Sequence, residues 1–295
     1  MFRDTVASIY RYFNTSLLYV RLQPLEKVLK IALVLSSRSY RKWMSRPRKP
    51  ELRQITVDRD LTMQVDLSKS IGAAFYWMGF HELNEWRFLH RHLRPDMVFM
   101  DIGANQGEFT LFAAKRLTRG TVLSFEPVNT YFNQLQDNVR INGFDNVKAF
   151  PLGLADKAGR VPVYMGEEGA GENEGLASIF SSGDRKRFVQ EIDIRVLDEL
   201  SADLRLTRLD FIKIDVEGAE LLVLKGARKT IEKFRPWVML EISDVTAAAA
   251  GYSVDDIKSF FSSLGYSLNL IAKGGTLKKQ TATPPFCNVI FSPEK

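Results

Sequence analysis

The sequence predicts an α/β fold built on a mostly parallel sheet with helices on both faces. Three observations carry this expectation. Residues 98–107 read VFMDIGANQG, a short apolar run closed by Asp101 and followed by a turn bracketed by Gly103 and Gly107. A helical pattern then begins, with Phe109, Phe112, Ala113 and Leu117 on one face. Strand and helix patterns go on alternating through residues 121–126, 131–141, 147–152, 192–200 and 209–214, a period that implies parallel pairing. Asp101, Glu126, Asp215 and Glu241 each close a strand-like run. In open α/β sheets ligands bind outside those carboxyl ends.

The chain divides by charge and pattern into residues 1–50 and residues 51–295. A length of 295 residues accommodates one domain of about 240 residues with an appendage. Residues 1–50 hold 11 Lys and Arg against 2 Asp and Glu, net +9, and the remainder is net −3. The basic balance therefore belongs to the appendage, which argues against a nucleic-acid partner for the domain. Phe2, Val6, Ile9, Phe13 and Leu17 recur at helical spacing as one apolar face. Pro24 suits the first turn of a second helix, whose face is Leu25, Val28, Leu29, Ala32 and Leu33. Neither stretch approaches the roughly 20 apolar residues of a membrane span, and no signal-peptide core is expected. Residues 36–50, SSRSYRKWMSRPRKP, read as a basic linker with Trp43 set among cations. Two readings follow: the helices pack on the domain or a partner subunit, or they make a peripheral contact with an anionic membrane at its inner face.

Residues 51–95 read as a hairpin over 53–67 and an entry helix over 79–93, and residues 96–295 as the core. Residues 157–190 form a polar insertion containing Gly166, Gly169, Gly171, Gly175 and Gly183, expected as an irregular mobile lid, with a strand-like run at Ser178 and Phe180. Cys287 is the only cysteine, so no internal disulfide forms, which suits a reducing, cytoplasmic setting.

The glycine turn narrows the ligand. Gly103 and Gly107 bracket Ala104, Asn105 and Gln106. Glycine admits positive φ and close backbone approach, and the helix start offers unpaired N–H groups. The dinucleotide fingerprint fails because Asn105 stands where its middle glycine belongs, and no Gly-Lys-Ser/Thr follows for a phosphate loop. Glu126 lies 23 positions after Gly103, where a carboxylate takes both ribose hydroxyls. A free ribose without a pyrophosphate suits S-adenosylmethionine better than NAD.

The stretches DIGANQGEFTLFAAK, FEP and KIDVEGAELLVLKGA, with the strand ending in Glu241, resemble the FkbM-type family of S-adenosylmethionine-dependent methyltransferases over about residues 79–243. KIDVEGAE is the most family-specific of them. The resemblance implies a Rossmann-like class I methyltransferase domain with a seven-stranded sheet and S-adenosylmethionine as cofactor, held around Asp101, Gly103, Ala104, Asn105, Gly107 and Glu126. It also implies a Gly79-Phe-His-Glu82 entrance, with Glu82 reaching the methionine end and His81 standing where many members have Tyr. The adenine would lie beside the loop Gly153-Leu-Ala-Asp156, stacked on Leu154 and hydrogen-bonded to Asp156.

Methyl transfer from a sulfonium needs in-line alignment and exclusion of water, and an alcohol acceptor also needs a base. Asp215 and Glu241 are the candidates, with His81 third. Helix capping accounts for Glu217 and Glu220 but not for Glu241, where no helix pattern starts. Two of the carboxylates could hold Mg²⁺, although a metal is not predicted, and no His/Cys cluster suits zinc. Methyltransferases acting on base amines carry an Asn/Asp-Pro-Pro-Tyr/Phe turn after the fourth strand. Here that position reads Asp215-Val-Glu-Gly, and Pro284-Pro285-Phe286 lies elsewhere, before the last strand. An oxygen acceptor is expected, and the resemblance implies O-methylation of a hydroxyl of a sugar, a glycan or glycolipid, or a natural product. The alternatives are an RNA methyltransferase with residues 1–50 as a basic arm, and a non-catalytic binding module keeping the fold.

Overall fold

The computed structural model describes residues 2–19, 23–45, 49–166, 177–181, 186–280 and 282–294. The chain opens with α1 (Phe2–Ser16) and α2 (Gln23–Met44), then the hairpin β1 (Leu52–Val57) and β2 (Leu61–Asp66). Next come α3 (Ser70–Met78), α4 (Leu83–His92), β3 (Val98–Ile102), α5 (Glu108–Ala114), β4 (Thr121–Phe125), α6 (Asn129–Ile141) and β5 (Val147–Phe150). They are followed by β6 (Gly153–Leu154), β7 (Gly159–Met165), β8 (Arg187–Arg195), α7 (Leu197–Asp203), β9 (Phe211–Ile214), α8 (Glu220–Gly226) and α9 (Arg228–Phe234). The chain finishes with β10 (Trp237–Ser243), α10 (Asp244–Ala249), α11 (Val254–Ser263), β11 (Tyr266–Ala272), β12 (Thr276–Lys279) and β13 (Phe286–Pro293).

The central sheet has the order β12-β11-β13-β10-β9-β3-β4-β5. Its β10-β9-β3-β4-β5 half is parallel, and β13, β11 and β12 are antiparallel. It has eight strands, one more than expected. The extra strand exists because Gly274 and Gly275, at φ +82° and +72°, fold β12 back on β11. A Cβ on Gly275 would sit 2.4 Å from the Phe88 backbone nitrogen, so only glycine lets this hairpin seat against α4. The inner strands are buried on both faces, as continuous apolar runs in a parallel sheet require. One face packs Trp86, Phe88, Phe99 and Phe112, and the other Leu123, Leu224, Ile231 and Phe261.

Four expectations change. The linker expected from residue 36 is helical as far as Met44, and its Trp43 indole donates to the Leu67 carbonyl at 2.9 Å. The entry helix expected over 79–93 begins only at Leu83, and a separate helix, not expected, precedes it. Here α3, rich in buried Phe75, Tyr76 and Trp77, stops at Gly79, and α4 starts after Glu82, so Gly79–Glu82 is a turn. Within and just beyond 157–190, β8 pairs with β7 and with β6 as a second, three-stranded sheet, and Ser178 bridges to Tyr164. Gly169, Gly171, Gly175 and Gly183 lie outside the described residues. Finally, the face of α1 that packs on the domain is Ala7, Arg11, Asn14 and Thr15, whereas Ile9 and Phe13 are exposed. Phe2, Leu25 and Val28 of the expected faces lie outside the described side chains.

Candidate active site

A cavity of about 340 Å³ opens at the carboxyl ends of β3, β4, β9 and β10. Its wall includes Gly103, Ala104, Asn105, Glu126, Leu154, Asp215 and Glu241, together with His81 and Glu82 from the turn before α4. Gly103 has φ +81°, and a Cβ there would lie 1.9 Å from the Asp215 carbonyl oxygen. The loop after β3 therefore rests directly on the loop after β9, and glycine is what permits it. Asn105 also takes positive φ, +49°. Its N–H donates to Glu126 Oε2 at 2.8 Å, and the Val128 N–H donates to Glu126 Oε1 at 2.8 Å. The Glu126 carboxyl is thus seated on two backbone donors. Burial pushes it up to about 7 even so.

Beneath this floor lies a buried cation. Lys213 is 4% exposed, donates from Nζ to Asp215 Oδ2 at 2.9 Å, and stands 4.8 Å from the Phe109 ring centroid. Burial opposes its charge, but Asp215, Asp101 and Glu82 outweigh burial and hold the ammonium above its ordinary range. Asp101 does not line the cavity. It is wholly buried and accepts from Thr110 Oγ1 at 2.6 Å, and burial raises it. Three of the four strand-end carboxylates face the crevice, and the fourth lies under it facing Lys213.

The remaining acidic groups differ in state. Burial, then the charges of Asp215 and Glu217, push Glu241 up to about 10. Burial, then Glu85 and Asp215, push Glu82 up to about 8, and Asn288 Nδ2 donates to it at 2.7 Å. Burial and Glu82 raise Glu108 well above the carboxylate range. Its Oε1 is buried without a partner among the described residues, and its Oε2 is 4.0 Å from His81 Nδ1. His81 stands in the concave wall, where the surrounding protein lowers its imidazole although solvent still reaches the ring. Oxygens of Asp215, Glu217 and Glu241 lie within 4.8 Å of one another. A divalent cation there would have to displace the Glu241 proton and share Asp215 with Lys213, and no metal is assigned.

Besides Asp101, two more expected cofactor residues are not on the wall. Gly107, at φ +99°, seats α5 against α6, where a Cβ would lie 2.7 Å from Leu135 Cδ1. Asp156 follows β6, and its backbone packs against Gly226 of α8. Sequence reasoning missed Lys213, Glu108, Asn288 and Ser178. The signal for Lys213 was legible: a single charge in FIKI, a strand otherwise apolar on both faces. Glu108 reads as an ordinary acidic first-turn residue. Ser178, whose hydroxyl donates to the Glu217 carbonyl at 2.7 Å, stands in the strand-like run of the insertion, but nothing in the sequence ties that run to the loop after β9.

The family model of the methyltransferase FkbM domain matches residues 101–268, more than half of the chain. This chain belongs to the FkbM methyltransferase family. Its curated relatives include methyltransferase sdnD of Sordaria araneosa, 30% identical over 46% of this chain and 62% of that protein. Methyltransferase 1 of Beauveria bassiana is 28% identical over 44% of this chain and 58% of its own. The 2-O-methyltransferase NoeI of Sinorhizobium fredii is 28% identical over 51% of this chain and 65% of its own. The FkbM chain thus matches less than two thirds of the length of each. Among solved structures, a methyltransferase FkbM from Methylobacillus flagellatus KT is 18% identical with a TM-score of 0.48, over 88% of this chain and 59% of that one.

Proposed function

We propose that this FkbM domain is an S-adenosylmethionine-dependent O-methyltransferase whose acceptor is a hydroxyl of a sugar, a glycan or glycolipid, or a natural product. The observation that carries the reading is the Glu126 carboxyl, fixed at the end of β4 by the Asn105 and Val128 N–H groups on the wall of the strand-end cavity. Two anchored oxygens beside a glycine turn suit a ribose diol. The apolar wall of Val128, Tyr131 and Leu154 suits an adenine ring. Glu82, on the same wall and held by Asn288, suits a methionine carbon chain with its charged head. When bound, S-adenosylmethionine supplies a methyl group activated on a sulfonium.

The chain's own groups then divide the proton work. Glu241, pushed up to about 10, holds its proton at neutral pH and offers a hydrogen bond to an acceptor oxygen. His81, lowered by its surroundings, is a neutral imidazole able to take the hydroxyl proton. Asp215 faces the same space and is oriented by Lys213. An oxygen acceptor is supported by the Asp215-Val-Glu-Gly turn, which lacks the Pro-Pro-aromatic platform of amine methylation. The relative named as a 2-O-methyltransferase supports the same choice.

Calorimetry with S-adenosylmethionine and with NAD tests the cofactor, and binding of the first alone is expected. Mass spectrometry of glycans and lipids from cells with and without the protein then tests the acceptor. A 14-Da difference on a hydroxyl is expected, and a modified base nitrogen in RNA would overturn the assignment.

A further inference from the structure

The N-terminal helices bury a mixed side, Ala7 and Leu29 beside Arg11, Asn14, Thr15 and Ser36, and leave large apolar side chains exposed. Against the domain, α1 places Arg11, whose guanidinium donates to the Tyr76 carbonyl at 2.6 Å and the Thr56 carbonyl at 3.1 Å. Asn14 donates to Ser36 Oγ at 2.9 Å and to the Met78 carbonyl at 3.1 Å. Facing outward, Ile9 is 49% exposed, Tyr12 65% and Phe13 41%, at the i, i+3, i+4 spacing of one helix face. On α2 the exposed stripe is Ile31, Val34 and Leu35, at 60%, 50% and 41%, continued by exposed Arg38, Arg41 and Lys42. Asn14 beside Ser36, and the Arg3 guanidinium 4.9 Å from the Trp43 ring, fix the two helices antiparallel. Both helices also pack on α3, and the two stripes together are the exposed apolar surface of this hairpin, its outer face.

We propose that this outer face is a docking surface for an anionic lipid bilayer. Six of the eleven large apolar side chains exposed among the described residues gather on these two helices, and that concentration marks a contact surface. The choice of a lipid partner rests on charge. The stripes hold no acidic residue, Arg38, Arg41 and Lys42 form no ion pair among the described residues, and residues 1–50 carry net +9. Apolar insertion beside a basic flank is the chemistry of an interfacial helix. No helix of the described residues is long and apolar enough to cross a membrane, so the contact is peripheral. The buried side of α1 touches the cavity's support. A Cβ on Gly79 would meet Thr15 Cγ2 at 3.0 Å, and two residues beyond Gly79 the chain reaches His81 on the cavity wall.

The test is co-sedimentation of the full chain with vesicles of phosphatidylcholine alone or with phosphatidylserine. Recovery with the anionic vesicles is expected, falling as salt rises. The exposed triple variant Ile31→Glu/Val34→Glu/Leu35→Glu should weaken it at least tenfold, and Arg38→Ala/Arg41→Ala/Lys42→Ala should weaken it and flatten its salt dependence. Cofactor affinity, measured by calorimetry, should be unchanged in both variants, which separates lost docking from lost folding. Equal recovery on neutral and anionic vesicles would overturn the proposal. So would a wild-type dimer in sedimentation analysis that the apolar triple converts to a monomer without any vesicle binding, since the face would then serve a second copy of the chain.

Discussion

Lys213 Nζ lies 2.9 Å from Asp215 Oδ2, two residues apart on and just beyond β9. Lys213 is the only Lys or Arg among the described residues lining a cavity that also presents Glu82, Glu108, Glu126, Asp215, Glu217 and Glu241. Without a buried cation, that many carboxylates could gather only by taking up protons. The pair thus sets how much negative charge the site retains. Lys213→Met keeps volume and removes the charge, which leaves buried carboxylates uncompensated. The expected loss is about 3–5 kcal/mol in urea unfolding. A loss below about 1 kcal/mol would mean that the acidic groups neutralise themselves at no cost.

Glu126 is held by two backbone donors and has little freedom to reorganise. Glu126→Ala should weaken S-adenosylmethionine binding by 10-fold or more in calorimetry, since hydrogen bonds to a charged group contribute about 1.5–3 kcal/mol. Unchanged affinity would place the ribose elsewhere.

Gly103→Ala adds one methyl group at φ +81°, with its Cβ 1.9 Å from the Asp215 carbonyl oxygen. Backbone is the obstacle, so no side chain can swing away. Loss of the left-handed preference alone costs about 1–2 kcal/mol, and separating the β3 and β9 loops adds to it. Gly143→Ala is the matched control, at φ +65° with nothing within 4 Å. Thermal melts should show a large drop for the first and only the conformational cost for the second. Equal drops would mean that the loop contact is not tight.

The frame of this domain was readable because its signals are local. VFMDI, the Gly103 turn and the helix after it specify one another within 20 residues, and the strand-end acids follow from the same alternation. What could not be read depends on three-dimensional neighbours. Asp101 has the same local pattern as Glu126, yet it turns under the sheet toward Thr110 and Lys213 and not into the cavity. Glu82 meets Asn288 across 206 positions. The buried face of α1 escaped the hydropathy pattern because its Arg11 and Asn14 are satisfied by carbonyls of other elements, a compensation no periodicity encodes.

Glu241 links the electrostatics to stability. Its carboxyl is pushed up to about 10 by burial and by Asp215 and Glu217, against an ordinary value of 4.5. Between those values the folded chain holds a proton that the unfolded chain releases. The folded state is therefore favoured in full only below about pH 4.5 and loses that advantage as pH rises toward 10. Glu82, pushed up to about 8, and Glu126, to about 7, act in the same direction over narrower windows. Melting temperature should accordingly decline from pH 5 to pH 9. Glu241→Gln keeps the shape and cannot ionise, so it should leave the melt at pH 5 nearly unchanged and raise it at pH 8. A gain of even about 1 kcal/mol corresponds to about 2–4 °C for a domain of this size. A variant that melts at the same offset from the wild type at pH 5 and pH 9 would show that Glu241 does not carry this proton, and with it would go the assignment of Glu241 as a hydrogen-bond donor to the acceptor oxygen.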